Sequence, residues 1–593
     1  MLIYLFPSRG WQQARVALLV AALLVFAPPA NGEKANVLLI SIDTVRADHL
    51  GCFGYGRKTS PSLDGLAKEG VLFRSAFSQA PWTLPSHMSV FTGQYTSTHG
   101  VNDISKRLAE KKHTLAGILK LNGYETAALV NDGNLKKHWG CDRGFDLWRE
   151  FSAIRPEGSC TNITSKAIEW VKAKSEGDDE RPFMLFLHYF DAHDPYNPPP
   201  PYGKIFARGY SGSIQPDDTA RLLHFFRPIT RTFEARADLD YVRSLYDGEI
   251  RYLDDSIGKL LKAVKRFGFE KSTVVVVFSD HGEEFEEHLS TTHGATLYEE
   301  QLHVPLIIRT PFGLEPGTIV DEQVELVDVL PTLLELLGLA PYSGSQGVSR
   351  LDLAKGRGKK YGWARAETLR VMEGLSLKSL RSLNIKYIYS LLDGQEELYD
   401  LRTDAGEKKN LVETKPKVTK VFRREMEGWV NSVEDYWRLR IPVGDGGVLA
   451  EGKMRAGTGK FGVVFPIGLG DGDKFSVSRG WDEIRFQISR GKNEKGIYFE
   501  LMDSKASLKV DSAVKGLEMF GVSGSKKLEG NAEVPPDELT TLPYRSASQL
   551  VLRDGLGPIL QHFRGKRRTT RPAKRADLDN ATKEMLRTLG YIR

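Results

Sequence analysis

Several polar clusters in this chain carry side chains able to bind a cation or attack an ester. Asp43 ends the apolar run Asn36-Val-Leu-Leu-Ile-Ser-Ile42, Asp191-Ala-His193 follows Phe183 to Phe190, and Asp280-His281-Gly282 follows Thr273 to Phe278. Adjacent Asp280 and His281 offer oxygen and nitrogen ligands to one divalent ion, and Gly282 lets the chain turn close to it. Asp43 could join them, although a carboxylate at a strand end is just as readily a turn former or a helix cap. Ligands of this kind drawn from separate strands suit zinc, manganese or a similar ion better than a P-loop magnesium site. Thr83 lies in the proline-bounded stretch Pro81-Trp-Thr-Leu-Pro-Ser-His87. The stretch from Ser86 reads as a helix start with Ser86 as its N-cap. Thr83 could be a cap itself, or could point its hydroxyl into a crevice where helix N–H groups favour a developing anion. His193 and His293 complete the candidates, each of which taken alone could be structural.

These residues need elements to hold them. Residues 36 to 340 alternate apolar runs with helical patterns, which predicts an α/β fold with a mixed, mostly parallel sheet flanked by helices. Strands are expected at 36–42, 125–130, 183–190, 273–278 and 304–308, and helices at 62–69, 113–121, 162–173 and about 238–266. The polar clusters then fall at strand carboxyl ends, the edge where open α/β sheets form ligand sites. From about Lys360 the pattern turns to short strands (386–390, 397–401) and a helix near 418–430, and later to alternating stretches such as 474–478 and 483–488. The expected organisation is a signal peptide over 1–32, a catalytic α/β domain over 33–345 and a small antiparallel α+β subdomain over 346–440. A β-rich accessory module over 441–560 and a basic linker with a terminal helix over 561–593 complete it.

The ordered motifs resemble the sulfatase family of the alkaline phosphatase superfamily along roughly residues 35 to 415. They are Asp-x-x-Arg-x-Asp-x-Leu-Gly at Asp43 to Gly51, Thr-Gly-x-Tyr-x-x-x-His-Gly at Thr92 to Gly100, and His-Asp-Pro-Tyr at His193 to Tyr196. Ser-Asp-His-Gly at Ser279, Leu-Tyr-Glu-Glu before Val304-Pro305, and Val327-Asp-Val-Leu-Pro-Thr-Leu-Leu334 follow in order. The resemblance implies the alkaline-phosphatase-like fold and hydrolysis of a sulfate or phosphate ester. Sulfatases usually carry Cys or Ser at the nucleophile position and oxidise it to formylglycine; here that position is Thr83, which cannot yield the aldehyde. The motif's arginine position is His87, and Thr44 replaces the second Asp of the family's usual pair, removing one expected calcium ligand. What remains is similar to the site of the phosphoethanolamine and phosphoglycerol transferases, which bind manganese or zinc and use threonine as nucleophile. That resemblance implies a divalent metal (Zn, Mn or Ca) on Asp43, Thr83, Asp280 and His281, with His87, His193 and His293 on the ester's oxygens or leaving group. His293 could instead bind a second metal. Hydrolysis leads; head-group transfer to an acceptor and a binding protein with a degenerate site are the alternatives.

Composition bounds the partners. The 82 basic and 76 acidic side chains leave a net charge of +6, much of it in the run Arg564 to Arg575, which is too little to suggest nucleic acid. The sulfatase resemblance implies a sulfate or phosphate ester as substrate, with glycan or envelope lipid as candidate carriers. Arg9 and Arg15 precede the apolar run Val16 to Phe26, and Ala30 and Gly32 follow it, which describes an export signal leading to a periplasmic or extracellular location. An uncleaved signal anchor is the one membrane contact this suggests. Among Cys52, Cys141 and Cys160, the last two could bridge in an oxidising compartment.

Overall fold

The computed structural model describes residues 34–433 apart from 105, 132–133, 153–158, 217–235, 289, 358–361, 371–374 and 392–393, together with strands between 435 and 564. The expected export signal, the basic run beyond Arg564 and the expected terminal helix lie outside the described residues. Among those described, no helix is long and apolar enough to cross a membrane.

The first half of the chain runs β1 (Asn36–Ile42), α1 (Pro61–Glu69), β2 (Val71–Phe77), α2 (Thr83–Thr92), α3 (Leu115–Leu121), β3 (Glu125–Asn131) and β4 (Leu147–Phe151). It continues through α4 (Cys160–Glu176), β5 (Phe183–Tyr189), α5 (Arg236–Arg266), β6 (Thr273–Ser279) and the hairpin β7 (Glu284–Phe285) with β8 (Thr291–Thr292). Then come β9 (His303–Arg309), β10 (Thr318–Val320), β11 (Val324–Glu325) and α6 (Val329–Leu336). The main sheet has the order β10-β2-β9-β6-β1-β5-β3-β4, with β11 on β2. β1 pairs in parallel with both β5 and β6, whereas β9 is antiparallel to β6 and β2. The mixed, mostly parallel sheet is therefore as expected.

Alternation along β1 explains why it lies at the centre. Val37 and Leu39 pack into one apolar cluster with Met88, Val90 and Phe91 of α2. Leu38, Ile40 and Ile42 pack into the other, with α1, α4 and α5 residues such as Leu63, Ile163 and Leu253. A strand apolar on both faces must be covered on both, so helices flank the sheet. Cys141 belongs to the first cluster and Cys160 to the second. They lie on opposite faces of the sheet, and all three cysteines are free thiols, so the bridge left open by the sequence is not formed.

Among the described residues the chain divides into two compact units, one reaching Ala364 and the other beginning at Arg365 and including 295–297. The change falls later than residue 345 because Leu353 and Ala354 still pack in the α2-side core. The second unit contains β12 (Ala364–Arg370, whose first residue belongs to the other unit), β13 (Leu375–Ser382), β14 (Ile385–Ser390), β15 (Glu396–Asp400) and α7 (Pro416–Val433). Further along, eleven strands form a six-stranded and a five-stranded sheet between Asp435 and Arg564.

One buried carboxylate ties α5 to α1. Asp254 is fully enclosed and accepts the backbone N–H groups of Ser62 and Leu63, both at 2.8 Å, which are two of the donors a helix start leaves without partners. Asp254→Ala should therefore cost about 1–3 kcal/mol, the penalty for stranding buried donors. Urea unfolding would show it as a lower midpoint at unchanged slope, and an unchanged midpoint would contradict the assignment.

Candidate active site

Register assembles the site. Ile42 of β1 lies opposite Ser279 of β6 and Tyr189 of β5, so the next residues, Asp43 and Asp280, emerge side by side at the carboxyl edge. Ser41, opposite His188, shares with Leu39 the face that α2 covers. Strand alternation returns Asp43 to that same face.

The helix start differs from expectation. α2 begins at Thr83, with Trp82 as its N-cap, and Ser86 lies inside the first turn. Pro85 is tolerated there because first-turn N–H groups have no helical acceptor. Ser86 Oγ instead donates to the Asp280 carbonyl at 2.7 Å, fastening the helix to the end of β6. Thr83 Oγ1 then stands 3.4 Å from Asp43 Oδ2 and 3.4 Å from His281 Nε2.

Asp43, Asp280 and His281 offer ligand atoms within 4.8 Å of one another, and all three are buried. Asp280 Oδ1 accepts backbone N–H groups from His281 at 3.0 Å and Thr44 at 3.3 Å, the latter in left-handed backbone at φ 57°. His281 Nδ1 donates to the Gly282 carbonyl at 3.0 Å, which leaves Nε2 as the ring's lone-pair nitrogen. Asp43 Oδ1 and Asp280 Oδ2 are closed off from solvent and accept no hydrogen bond. Orphaned carboxylate oxygens beside a neutral imidazole and a hydroxyl form a donor set that fits a divalent cation. The acidities agree. Burial, and next the Asp43 charge, push Asp280 well above the carboxylate range. Burial would raise Asp43 as well, but the hydrogen bond from His188 and the neighbouring His281 ring hold it below that range. Burial lowers His281 to about 3, keeping its ring in the neutral form that ligates metals.

The remaining histidines divide. His87 lies one turn after Thr83; its Nδ1 donates to the Thr83 carbonyl at 2.8 Å and its Nε2 meets Ser41 Oγ at 2.8 Å. Both ring nitrogens are engaged within the protein, so the expected contact of His87 with ester oxygens is replaced by support of the Thr83 backbone. His193 and His293 do stand at the site: the His293 ring lies 4.4 Å from that of His281 and 4.8 Å from that of His193. Sequence reasoning passed over His188, which is fully buried and places Nε2 3.0 Å from Asp43 Oδ2. Its one signal was a histidine inside an otherwise apolar strand. Glu283 was missed too; it is buried and bonded to His293 Nδ1 at 3.1 Å and to the Tyr196 hydroxyl at 2.9 Å.

The sheet order, the Thr83 helix and the acidic strand ends together describe an ester hydrolase of the alkaline-phosphatase-like class. A family model named Sulfatase matches residues 35–339, and one for the C-terminal part of N-sulphoglucosamine sulphohydrolase matches residues 293–432. The chain belongs to the sulfatase family. It is 23% identical over 468 residues to an arylsulfatase of Clostridium perfringens, covering 67% of this chain and 95% of that one. It is 24% identical over 485 residues to an N-acetylglucosamine-6-O-sulfatase of Bacteroides thetaiotaomicron, covering 66% and 86%. The crystal structure of a phosphonate monoester hydrolase of Agrobacterium radiobacter superposes with a TM-score of 0.56 at 22% identity, covering 67% of this chain and 95% of that one.

His188 offers a test of the geometry. His188→Phe keeps a ring of similar size but removes the bond that orients Asp43, so divalent-metal affinity should fall about 10–100-fold with folding retained. Calorimetric titration with Zn2+ or Mn2+ measures this, and an unaltered affinity would show that Asp43 is held by other means.

Proposed function

We propose that this chain is a metal-dependent hydrolase of sulfate esters or singly charged phosphorus esters, with Thr83 Oγ1 as the nucleophile. The observation that carries the reading is the meeting of the Thr83 hydroxyl with Asp43, Asp280 and His281 in one buried site. Those residues would hold the ion; when bound, it supplies positive charge that favours an ionised hydroxyl and offsets charge on the ester's oxygens. Thr83, set at the first position of α2, attacks sulfur or phosphorus, the alcohol departs with its oxygen, and water cleaves the resulting threonyl ester to restore the hydroxyl. The threonine proton has Asp43 Oδ2 and His281 Nε2 within 3.4 Å. His193 and His293, beside His281, serve the departing oxygen. Formylglycine chemistry has no place here, because threonine cannot supply the aldehyde.

Charge narrows the ester. Burial lowers His87 to about 3, so the position where the family carries arginine holds a neutral ring whose nitrogens already serve Ser41 and Thr83. Without that fixed cation, the site favours monoanionic esters over dianionic phosphate monoesters. The named sugar sulfatase among the relatives supports a sulfated glycan as the natural carrier, and the apolar run Val16 to Phe26 behind Arg9 and Arg15 supports a reaction outside the cytoplasm.

Nitrophenyl sulfate, bis(nitrophenyl) phosphate, nitrophenyl phenylphosphonate and nitrophenyl phosphate form a decisive panel. Turnover should be best on one of the first three, should vanish on chelation and return with Zn2+ or Mn2+, and should drop at least about a thousandfold in Thr83→Ala. Fastest turnover of the phosphomonoester would overturn the charge reading. Full activity in Thr83→Ala would overturn the nucleophile.

A further inference from the structure

Beyond His193 and Tyr196 the chain continues as the segment 197–214, which lies along α5 and which the proposed reaction leaves unused. Asn197 N–H donates to Glu249 Oε1 at 3.0 Å at the start of this path. A Cβ at Gly248 would meet both Pro198 and the Tyr202 carbonyl oxygen at 2.9 Å, so glycine at that point of α5 lets the segment lie close.

Aromatic residues recur along the segment at Tyr202, Phe206 and Tyr210, and all three stay partly exposed. The Tyr202 hydroxyl donates to Asp255 Oδ2 at 2.9 Å, and its ring lies 5.1 Å from that of Tyr252, tilted at 51° rather than face to face. The Tyr210 hydroxyl donates to Asp238 Oδ1 at 2.6 Å, and its ring stacks on Tyr241 at 3.8 Å. Between these two anchors the Arg57 guanidinium stands 5.9 Å from the centre of the Phe206 ring, held by Asp247 and Ser244. Asp238 and Asp255 both belong to α5, so the row spans about 25 Å along the helix, more than one sugar covers. Tyrosines pinned in this way offer contact area at small entropic cost. The row also carries positive charge. Arg57 is 40% exposed, and Lys58, Lys204 and Arg208 are exposed and form no ion pair among the described residues.

We infer that Tyr202, Phe206 and Tyr210, with Arg57, Lys204 and Arg208, form an extended subsite for a sulfated glycan chain that runs from the reacting ester along α5. The inference rests on the reading of a sulfated glycan as the natural carrier. Apolar faces of sugars pack on the rings, and sulfate groups further along the chain meet the cations, for which the planar arginine fork is well shaped. Rings alone would take an unsulfated chain as readily, and cations alone any polyanion. The combination selects a chain that is both.

Binding and turnover are read separately on full-length protein, with circular dichroism confirming that each variant folds. Calorimetric titration at physiological salt uses dextran sulfate, unsulfated dextran and polyglutamate, the last reporting general attraction to cations, the basic run after Arg564 included. Wild type should bind dextran sulfate at least about tenfold more tightly than either of the others. Phe206→Ala and Tyr210→Ala should each weaken that binding about tenfold, and Lys204→Glu with Arg208→Glu should weaken it further and flatten its salt dependence. Turnover of the nitrophenyl esters should stay at the wild-type rate in all of them. Unchanged glycan binding in these variants, or polyglutamate bound as tightly as dextran sulfate, would overturn the subsite. So would single-stranded poly(U) bound more tightly than dextran sulfate. Glycan binding lost in the variants of a protein that turns over no nitrophenyl ester would leave the subsite standing and sink the hydrolase reading. Normal turnover with glycan binding indifferent to the variants would do the reverse.

Discussion

Two carboxylates buried side by side set the terms for this molecule. Asp43 and Asp280 have no exposed surface, and their ligand atoms lie within 4.8 Å of each other. At that separation, with an effective dielectric near 20, like charges repel by about 3–4 kcal/mol before either desolvation cost is counted. Among the described residues neither has a lysine or arginine partner; the contacts are His188, His281, His87, the Thr83 hydroxyl and backbone N–H groups. A fold does not retain such a pair for stability, because replacing buried charge with apolar side chains is often neutral or better. The pair makes sense as a cation site, and the surrounding structure can be understood as what holds it in place when no cation is bound.

The holding is done from several directions. The parallel register of β1 and β6 fixes the spacing of the two carboxylates, since Ile42 and Ser279 are partners immediately before them. Antiparallel β9 follows the helical turn Glu299–Leu302, to which the chain after Asp280 and His281 is tied: Gly282 donates to the Gln301 carbonyl at 2.8 Å. A Cβ at Gly282 would meet the Glu300 carbonyl oxygen at 2.0 Å, so only glycine allows this approach directly after the ligand pair. α2 is clamped at its first turn by Ser86 to the Asp280 carbonyl and by His87 to Ser41. Thr83 thus sits on an element fastened to both acidic strands.

Periodicity and end residues made the sheet legible: strands at 36–42, 125–131, 183–189, 273–279 and 303–309 all lie where apolar runs placed them. The antiparallel direction of β9 was not readable, because an apolar run is the same in either direction. The residues Asp43, Thr83, Asp280 and His281 could be named from the sequence, yet their convergence needed the register. His87 and His188 were misjudged for opposite reasons. His87 occupies the position where the sulfatase resemblance implies arginine, but its ring turns back along the helix to the Thr83 carbonyl. His188 was hidden by the apolar strand around it, where hydrophobicity alone gives no reason to single out a polar side chain.

Threonine and histidine one helical turn apart form a single unit. At 3.6 residues per turn, positions 83 and 87 share a face, so a ring at 87 reaches the carbonyl at 83 and the serine of β1 together. Arginine at 87 would extend charge toward an ester; a neutral histidine spends its donors on the backbone instead. The β-branched threonine has restricted rotamers, which limits where Oγ1 can point once the backbone is fixed. On the proposed reaction, a short clamp in place of a long cation trades direct charge at the ester for rigidity at Thr83. Positive charge for that proposed reaction must then come from elsewhere, and among the described residues the Asp43, Asp280 and His281 cluster is arranged to supply it through the ion its ligand atoms would hold.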